Sequence, residues 1–219
     1  MGPLVDDRTL AGTPWRDRLD EPRFELPIAG GDRPTTPAPL GAIADVLTAH
    51  LPADDPLVDY PDRLRADGPR GHLRGYLNGA IDLVLRVGRN EGGRFVVIDH
   101  KTNRLGWPAT PTAADYRPQA LATAMQAGHY PLQALLYSVA LHRLLRGRLR
   151  DYDPAHHLGG ALYLFLRGMT GPDVPRVDGA PCGVFAWHPP VELITDLDAL
   201  LAGRWSPSGA TRDTASVAP

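Results

Sequence analysis

Two stretches decide the fold of this chain: Tyr76-Leu-Asn-Gly-Ala-Ile-Asp82-Leu-Val-Leu-Arg-Val87 and Phe95-Val-Val-Ile-Asp99-His-Lys101. Both are aliphatic and β-branched with period two, and the glycine-rich Gly88-Arg-Asn-Glu-Gly-Gly-Arg94 between them predicts an antiparallel hairpin. Side chains alternate across a strand, so Leu77, Gly79, Ile81, Leu83, Leu85 and Val87 share one face and Asp82 lies on the other with Ala80 and Val84. In the second strand Phe95, Val97, Asp99 and Lys101 share a face, and His100 turns away from it with Val96 and Ile98. Pairing Val87 with Arg94 sets Asp82 opposite Asp99, their Cβ atoms about 5 Å apart. Two carboxylates so placed in a half-buried setting require a shared proton or a cation between them.

The composition narrows the cation. Of 23 basic residues in the 219, Lys101 is the one lysine and the other 22 are arginine. A chain that writes its solvated cations as arginine has set a single primary amine two residues after a carboxylate. Cys182 is the one cysteine, which excludes a disulfide framework, a four-cysteine zinc site and a cysteine-ligated iron–sulfur cluster within this chain. With oxygen donors in the acid pair, Mg²⁺ is the expected occupant, with Mn²⁺ as the other hard divalent ion. Lys101 beside it can orient a water and stabilise charge developing on a phosphate oxygen. The competing reading makes the two acids strand-end or turn residues and Lys101 a solvated cation.

The length suits one domain. No run approaches the roughly 18 apolar residues of a membrane span, and the first residues lack the basic and apolar regions of a signal peptide, so a cytoplasmic protein with no membrane partner is expected. A net charge of −2 does not by itself announce a nucleic-acid binder.

Outward from the hairpin, residues 1–22 carry scattered charge and read as an extension. Phe24 to Ile28 is a short apolar run, Arg33 to Pro39 a Pro/Thr loop, and Leu40 to Leu51 a helix with apolar residues at three- and four-residue spacing, stopped by Pro52. Gln119 to Ala127 predicts a short helix and His129 to Arg150 a long one with Pro131 in its first turn. Gly159 to Leu166 and Gly183 to Trp187 read as strands, Val191 to Leu201 as a closing helix, and the polar end as a disordered tail over 205–219. The order is that of an α/β domain over 23–204, a mixed central sheet flanked by helices.

The residues then resemble a known family. Gly79-Ala-Ile-Asp82-Leu-Val followed by Val97-Ile-Asp99-His-Lys101-Thr-Asn-Arg-Leu-Gly106 is similar to the D…(D/E)xK core of the restriction-endonuclease-like nucleases, and within them to RecB-type nuclease domains. Tyr130-Pro-Leu-Gln133-Ala-Leu-Leu-Tyr137 resembles the QxxxY motif that follows that core, and His142-Arg143, His156-His157-Leu-Gly-Gly160 and Tyr163 to Gly168 resemble the RecB-type stretch beyond it. The resemblance is strong over 72–170 and weaker at Phe24 to Ile28. It implies a restriction-endonuclease-like fold and a Mg²⁺-dependent nuclease domain at the C-terminal end of a larger helicase–nuclease. The implied substrate is linear single- or double-stranded DNA in double-strand-break repair, with RecC- and RecD-like subunits as partners; a RecA-like recombinase is a further candidate partner. By position it implies that Asp82, Asp99 and the backbone carbonyl of His100 hold the metal, that Lys101 assists the attacking water, and that Gln133 and Tyr137 support the site. It also implies a metal-binding histidine on a helix upstream of the hairpin; the surroundings of His50 do not match that stretch.

Other residues are weighed against plainer roles. Arg143 and Arg146 are candidate DNA contacts, although arginines also suit the C-terminal end of a helix on structural grounds. His156 and His157 are expected to order the entry to a buried strand. Trp107, just past the motif, is a candidate base-stacking residue set against ordinary packing. Two functions follow: a metal-dependent deoxyribonuclease of the exodeoxyribonuclease V type, or a non-catalytic docking module that binds a recombinase or partner subunit.

Overall fold

In the computed structural model the described residues are 10, 12–29, 31–32, 38–88, 92–108, 110–171 and 173–205. Most of the expected Pro/Thr loop, the tip of the hairpin loop and the tail beyond Trp205 lie outside them. Among the described residues the strands of three residues or more are β1 (Arg18–Asp20), β2 (Arg23–Ile28), β3 (Gly75–Ala80), β4 (Leu83–Val87), β5 (Arg94–Lys101), β6 (Leu158–Phe165) and β7 (Val184–Trp187). The helices are α1 (Ala42–His50), α2 (Tyr60–Asp67), α3 (Pro118–Ala127), α4 (Tyr130–Arg148) and α5 (Val191–Leu201), with shorter pieces between.

Five strands form a mixed sheet in the order β1-β4-β5-β6-β7, in which β5 and β6 run parallel and the other neighbours antiparallel. β5 pairs with β4 in the expected register, Val87 opposite Arg94 and Leu83 opposite Ile98. The alternation expected for β5 holds: Val97 packs into the large core with the helices, while Val96 and Ile98 join Leu83, Leu85 and Leu164 in a smaller cluster on the other face. α4 lies against β5 and β6, α3 against β7, and α5 against α4 and α1. Helix α2 and the strand at Arg18–Asp20 were not foreseen, since one carries a weak apolar pattern and the other is three residues long. Residues Trp15–Asp17 make a 3₁₀ turn, β1 adds an edge to the sheet, and Asp17 is buried with Arg86 Nη2 2.6 Å from its carboxylate.

The main departure is a break in the first hairpin strand. The single strand expected over Tyr76 to Val87 is two, with β3 paired to β2 and β4 paired to β1. The paired segment bends at the same level, at Glu21, with φ of 46°, and Pro22. Two hydrogen bonds staple the bends together, Glu21 N–H to the Asp82 carbonyl (3.0 Å) and Ile81 N–H to the Pro22 carbonyl (3.1 Å). Proline has no N–H to extend a ladder, so a uniform pair cannot run through this point. The break also corrects the face assignment: Ile81 does not follow Leu83 and Leu85 but packs with Val84 in the large core.

The C-terminal half of α4 is tied down electrostatically. Asp198 of α5 is buried and accepts from Arg143 Nε and, at 3.3 Å, from Arg146 Nη1, while Arg143 Nη1 reaches the Pro27 carbonyl at 3.0 Å. One turn away His142 is buried with its Nδ1 2.8 Å from the Tyr152 hydroxyl, and burial holds its pKa below the usual histidine value.

Two predictions follow from this packing. A Cβ at Gly168 would stand 2.4 Å from Tyr116 Cβ and 2.9 Å from Gly183 Cα, so Gly168→Ala should cost about 1–3 kcal/mol by overpacking, read as a lowered midpoint in urea. Because a lowered histidine pKa means that the unfolded chain binds more protons, stability should fall as pH drops below about 6.5. His142→Gln should flatten that fall, measured by urea midpoints at about pH 7.5 and about pH 5.5; an unchanged slope would remove His142 as its source.

Candidate active site

Asp99 and Lys101 stand on the helix-facing side of β5 and register with Tyr163 and Phe165 of the parallel strand β6. Asp99 is 2% exposed, and Lys101 Nζ lies 2.6 Å from its Oδ2. Burial pushes the Asp99 carboxyl above the usual aspartate value; Lys101 opposes that shift and the nearby Asp82 charge adds to it.

The Lys101 side chain is held from three sides. Its ammonium donates to Gln133 Oε1 at 3.0 Å and lies 4.1 Å and 5.2 Å from the ring centroids of Tyr130 and Tyr163. Gln133 Nε2 in turn donates to the Tyr137 hydroxyl at 3.0 Å, and the Tyr163 hydroxyl lies 3.2 Å from both Gln133 Oε1 and the Tyr130 carbonyl. Gln133 and Tyr137 share a face because they are four apart on α4, which turns both toward β5. Phe24 of β2 closes the far side, edge-on to the Tyr137 ring at 6.0 Å between centroids. Gly79 makes room for it, since a Cβ there would sit 2.6 Å from the Phe24 ring.

Asp82 sits in the break between β3 and β4, outside the ladder. Freed from the pleat, its Oδ2 accepts from the His100 backbone N–H at 2.8 Å and lies 3.3 Å from His100 Nδ1. The His100 ring is therefore not turned away from both acids, as strand parity predicts; the bend brings Asp82 round to it. The two acids differ in setting, Asp82 with a 43% exposed side chain and Asp99 buried against an ammonium.

Asp82, Asp99, Lys101, Gln133 and Tyr137 thus come together. Arg143 and Arg146 do not: they lie about 15–20 Å along α4 from Gln133 and hold Asp198. His50 is also elsewhere, 2.9 Å from Asp196 of α5. His157 is buried, with its Nδ1 on the backbone of Asp153 and its ring against Tyr152. Trp107 is exposed rather than packed. Tyr163 and Tyr130 were missed as site residues; Tyr130 opens the motif that contains Gln133, whereas Tyr163 needs the β5–β6 register to find.

The donor set suits a hard divalent ion. Among the described residues Asp99 Oδ2 is buried with no hydrogen bond of ordinary geometry, and its close partner is the Lys101 ammonium. Asp82 opens to solvent beside it. Mg²⁺ is commonly held by one or two carboxylates, its other positions going to water and substrate phosphate. Among the described residues no group of three or more His, Cys, Asp or Glu side chains gathers to hold a metal, so the fit is to a two-carboxylate site.

The buried pair sets a stability prediction. Lys101→Met should cost about 3–5 kcal/mol by leaving the Asp99 charge uncompensated, while Lys101→Met combined with Asp99→Asn should recover much of it. Urea unfolding of the two single variants and the double checks the coupling; additive losses would show that the pair does not act as one.

Comparison with known proteins agrees with the geometry. The model of the PD-(D/E)XK nuclease superfamily matches residues 15–205. The chain is 52% identical over 205 residues to the RecBCD enzyme subunit RecB of Mycolicibacterium smegmatis, covering 92% of this chain and 18% of that protein. It is 52% identical over 204 residues to the same-named subunit of Mycobacterium tuberculosis, again 92% and 18%. Against RecB of Escherichia coli it is 43% identical over 131 residues, 60% of this chain and 10% of that one. The chain therefore spans less than a fifth of the length of the curated relatives it matches. Nucleases of this superfamily are generally dependent on a divalent metal. With a D…DxK core folded on a mixed sheet and the family match running from the 3₁₀ turn before β1 to Trp205, this chain belongs to the PD-(D/E)XK nuclease superfamily, among its RecB-like domains.

Proposed function

We propose that this chain is a Mg²⁺-dependent deoxyribonuclease domain of a RecB-like subunit, of the exodeoxyribonuclease V type, acting on linear DNA in double-strand-break repair and recombination. The observation that carries the reading is Lys101. The chain's one lysine is largely buried between two tyrosine rings, with its ammonium on Asp99 and Gln133, an arrangement that a solvated cation does not need. The domain takes in residues 23–204 around a core at 72–170, with β1 added at its edge. It works as the C-terminal part of a larger helicase–nuclease in the cytoplasm, alongside RecC- and RecD-like subunits and a RecA-like recombinase. Among the described residues no helix is long and apolar enough to cross a membrane.

In this reading Asp82, Asp99 and the His100 carbonyl would hold Mg²⁺, and Mn²⁺ could replace it. The bound ion supplies Lewis-acid stabilisation of the phosphate and a more acidic water. The chain's own residues do the positioning. Asp99, fixed in a dry strand face, and Asp82, at the open bend, set the two carboxylates at different depths. Lys101 holds the attacking water on the buried side and offers its positive charge to the phosphate oxygen as negative charge grows there. Gln133 fixes the ammonium direction, and Tyr137 fixes Gln133.

The test is Mg²⁺- or Mn²⁺-dependent digestion of end-labelled linear DNA by the chain and its variants. Asp99→Ala and Lys101→Ala should each lower cleavage about 100-fold or more, and Gln133→Leu less. Cleavage that survives in both alanine variants would defeat the assignment of the site, and a parent chain that neither cuts DNA nor takes up Mn²⁺ would leave the docking-module reading.

A further inference from the structure

β5 and β6 run parallel, and the segments that follow Lys101 and Phe165 leave the sheet side by side. The first, Thr102-Asn-Arg-Leu-Gly-Trp-Pro108, contains no acidic residue. It ends in Trp107, a tryptophan 74% exposed, and the Arg104 guanidinium lies 4.7 Å from that ring's centroid. An indole open to water is unfavourable by its apolar area, and the loop that carries this one is fixed by hydrogen bonds.

That loop is tied at four points. The Tyr116 hydroxyl donates to the Asn103 carbonyl (3.0 Å) and accepts from Leu105 N–H (3.2 Å). The Tyr130 hydroxyl donates to Asn103 Oδ1 at 3.2 Å, and Arg167 Nε donates to the Thr102 carbonyl at 2.9 Å. Gly106, with φ of 77°, lets the Asp115 carboxylate approach to 2.7 Å of where a Cβ would stand. Asp115 is itself engaged by Thr112 through its backbone N–H and hydroxyl. Tyr130 links the loop to the site, because its ring also backs the Lys101 ammonium. Arg104 is three residues from Lys101, so their Cα atoms are within about 11 Å.

We propose that Trp107, with Arg104 stacked on it, is a base-stacking platform for the single-stranded flank of a DNA strand lying across the Asp82/Asp99/Lys101 centre, with Arg104 and Arg167 meeting phosphates. Stacking on an aromatic face tolerates every base, and guanidinium groups track the backbone, so the platform recognises a single strand without reading its sequence. In duplex DNA the bases are already stacked on each other, so the platform favours frayed or unwound ends over paired ones. It is a positioning element that rests on the nuclease reading above.

The experiment measures binding of a fluorescein-labelled oligothymidylate by anisotropy, without divalent metal, for the parent chain and for Trp107→Ala, Trp107→Phe, Arg104→Ala and Arg167→Ala. Trp15→Ala is the control, since Trp15 is equally exposed but precedes β1. Trp107→Ala should weaken binding about five- to hundredfold, Trp107→Phe should restore most of it, and competition by inorganic polyphosphate should be unchanged by either. The arginine variants should weaken oligothymidylate and polyphosphate alike and each lower the salt dependence by roughly one ion. A parent chain that binds no oligothymidylate, or a Trp107→Ala variant that binds as the parent does, overturns the platform in favour of a protein-docking face. Cleavage is scored separately. Binding through Trp107 by a chain that cuts nothing keeps the platform and removes the nuclease, whereas cleavage with binding indifferent to Trp107 does the reverse.

Discussion

The ion pair between Lys101 and Asp99 is the constraint around which the rest of the structure is arranged. Taking an ammonium and a carboxylate out of water costs several kcal/mol per ion, and their attraction offsets that only when the remaining hydrogen-bonding capacity is also met. Each neighbour answers that demand. Gln133 accepts from the ammonium, and the faces of Tyr130 and Tyr163 supply electron-rich surface where water has been removed. Those groups come from α4 and β6, so the pair requires α4 to lie across β5 and β6 at one height and one rotation. The apolar residues Leu135 and Val139 of α4, both fully buried, fix the rotation, and Arg143 on Asp198 pins the helix against α5. The arginines at the end of α4 thus secure the helix that carries Gln133, although they lie far from the acids.

The bend between β3 and β4 is the second constraint, and it gives the two acids unlike settings. Had the strand run through, both carboxylates would sit on one pleated face beneath α4, and their mutual repulsion would add to the cost of burying each. Pro22 and the positive φ at Glu21 break the partner strand at the matching level, so Asp82 leaves the ladder and takes the His100 N–H instead. One acid is dry and ammonium-bound; the other is half exposed at the bend. The proposed site would have to hold an ion and admit a phosphate, and that asymmetry serves both, since the dry group defines position and the open one leaves an approach.

Much of this was legible in the sequence because it depends on short-range geometry. Period-two alternation fixed the shared face of Asp99 and Lys101, the glycine-rich loop marked the hairpin, and i,i+4 spacing put Gln133 and Tyr137 together. The break at Asp82 escaped because alternation in Tyr76 to Val87 is continuous; the signal lay about 60 residues away at Pro22, in a stretch with no periodicity of its own. Tyr163 escaped for a related reason. Its place beside Asp99 is set by a parallel pairing across 64 residues, and parallel register is not written in either strand. The Arg18–Asp20 strand is held by backbone pairing and by Asp17 on Arg86, neither of which leaves a hydrophobic pattern.

Tyr130 links the support of the site to the loop beside it. Tyr130 serves three neighbours: its ring backs Lys101, its carbonyl lies by the Tyr163 hydroxyl, and its own hydroxyl reaches Asn103 at the root of the Trp107 loop. Tyr116 holds the same loop from the other side and packs where Gly168 approaches Gly183. The loop that leaves the lysine strand is therefore not an independent flap. It is anchored to the first residue of α4 and to Arg167 in the 3₁₀ turn that follows β6, and α4 and β6 are the elements that align the ammonium. A displacement of α4 would misplace Lys101 and the exposed indole together, so the ammonium and the indole are coupled through one tyrosine rather than through a hinge.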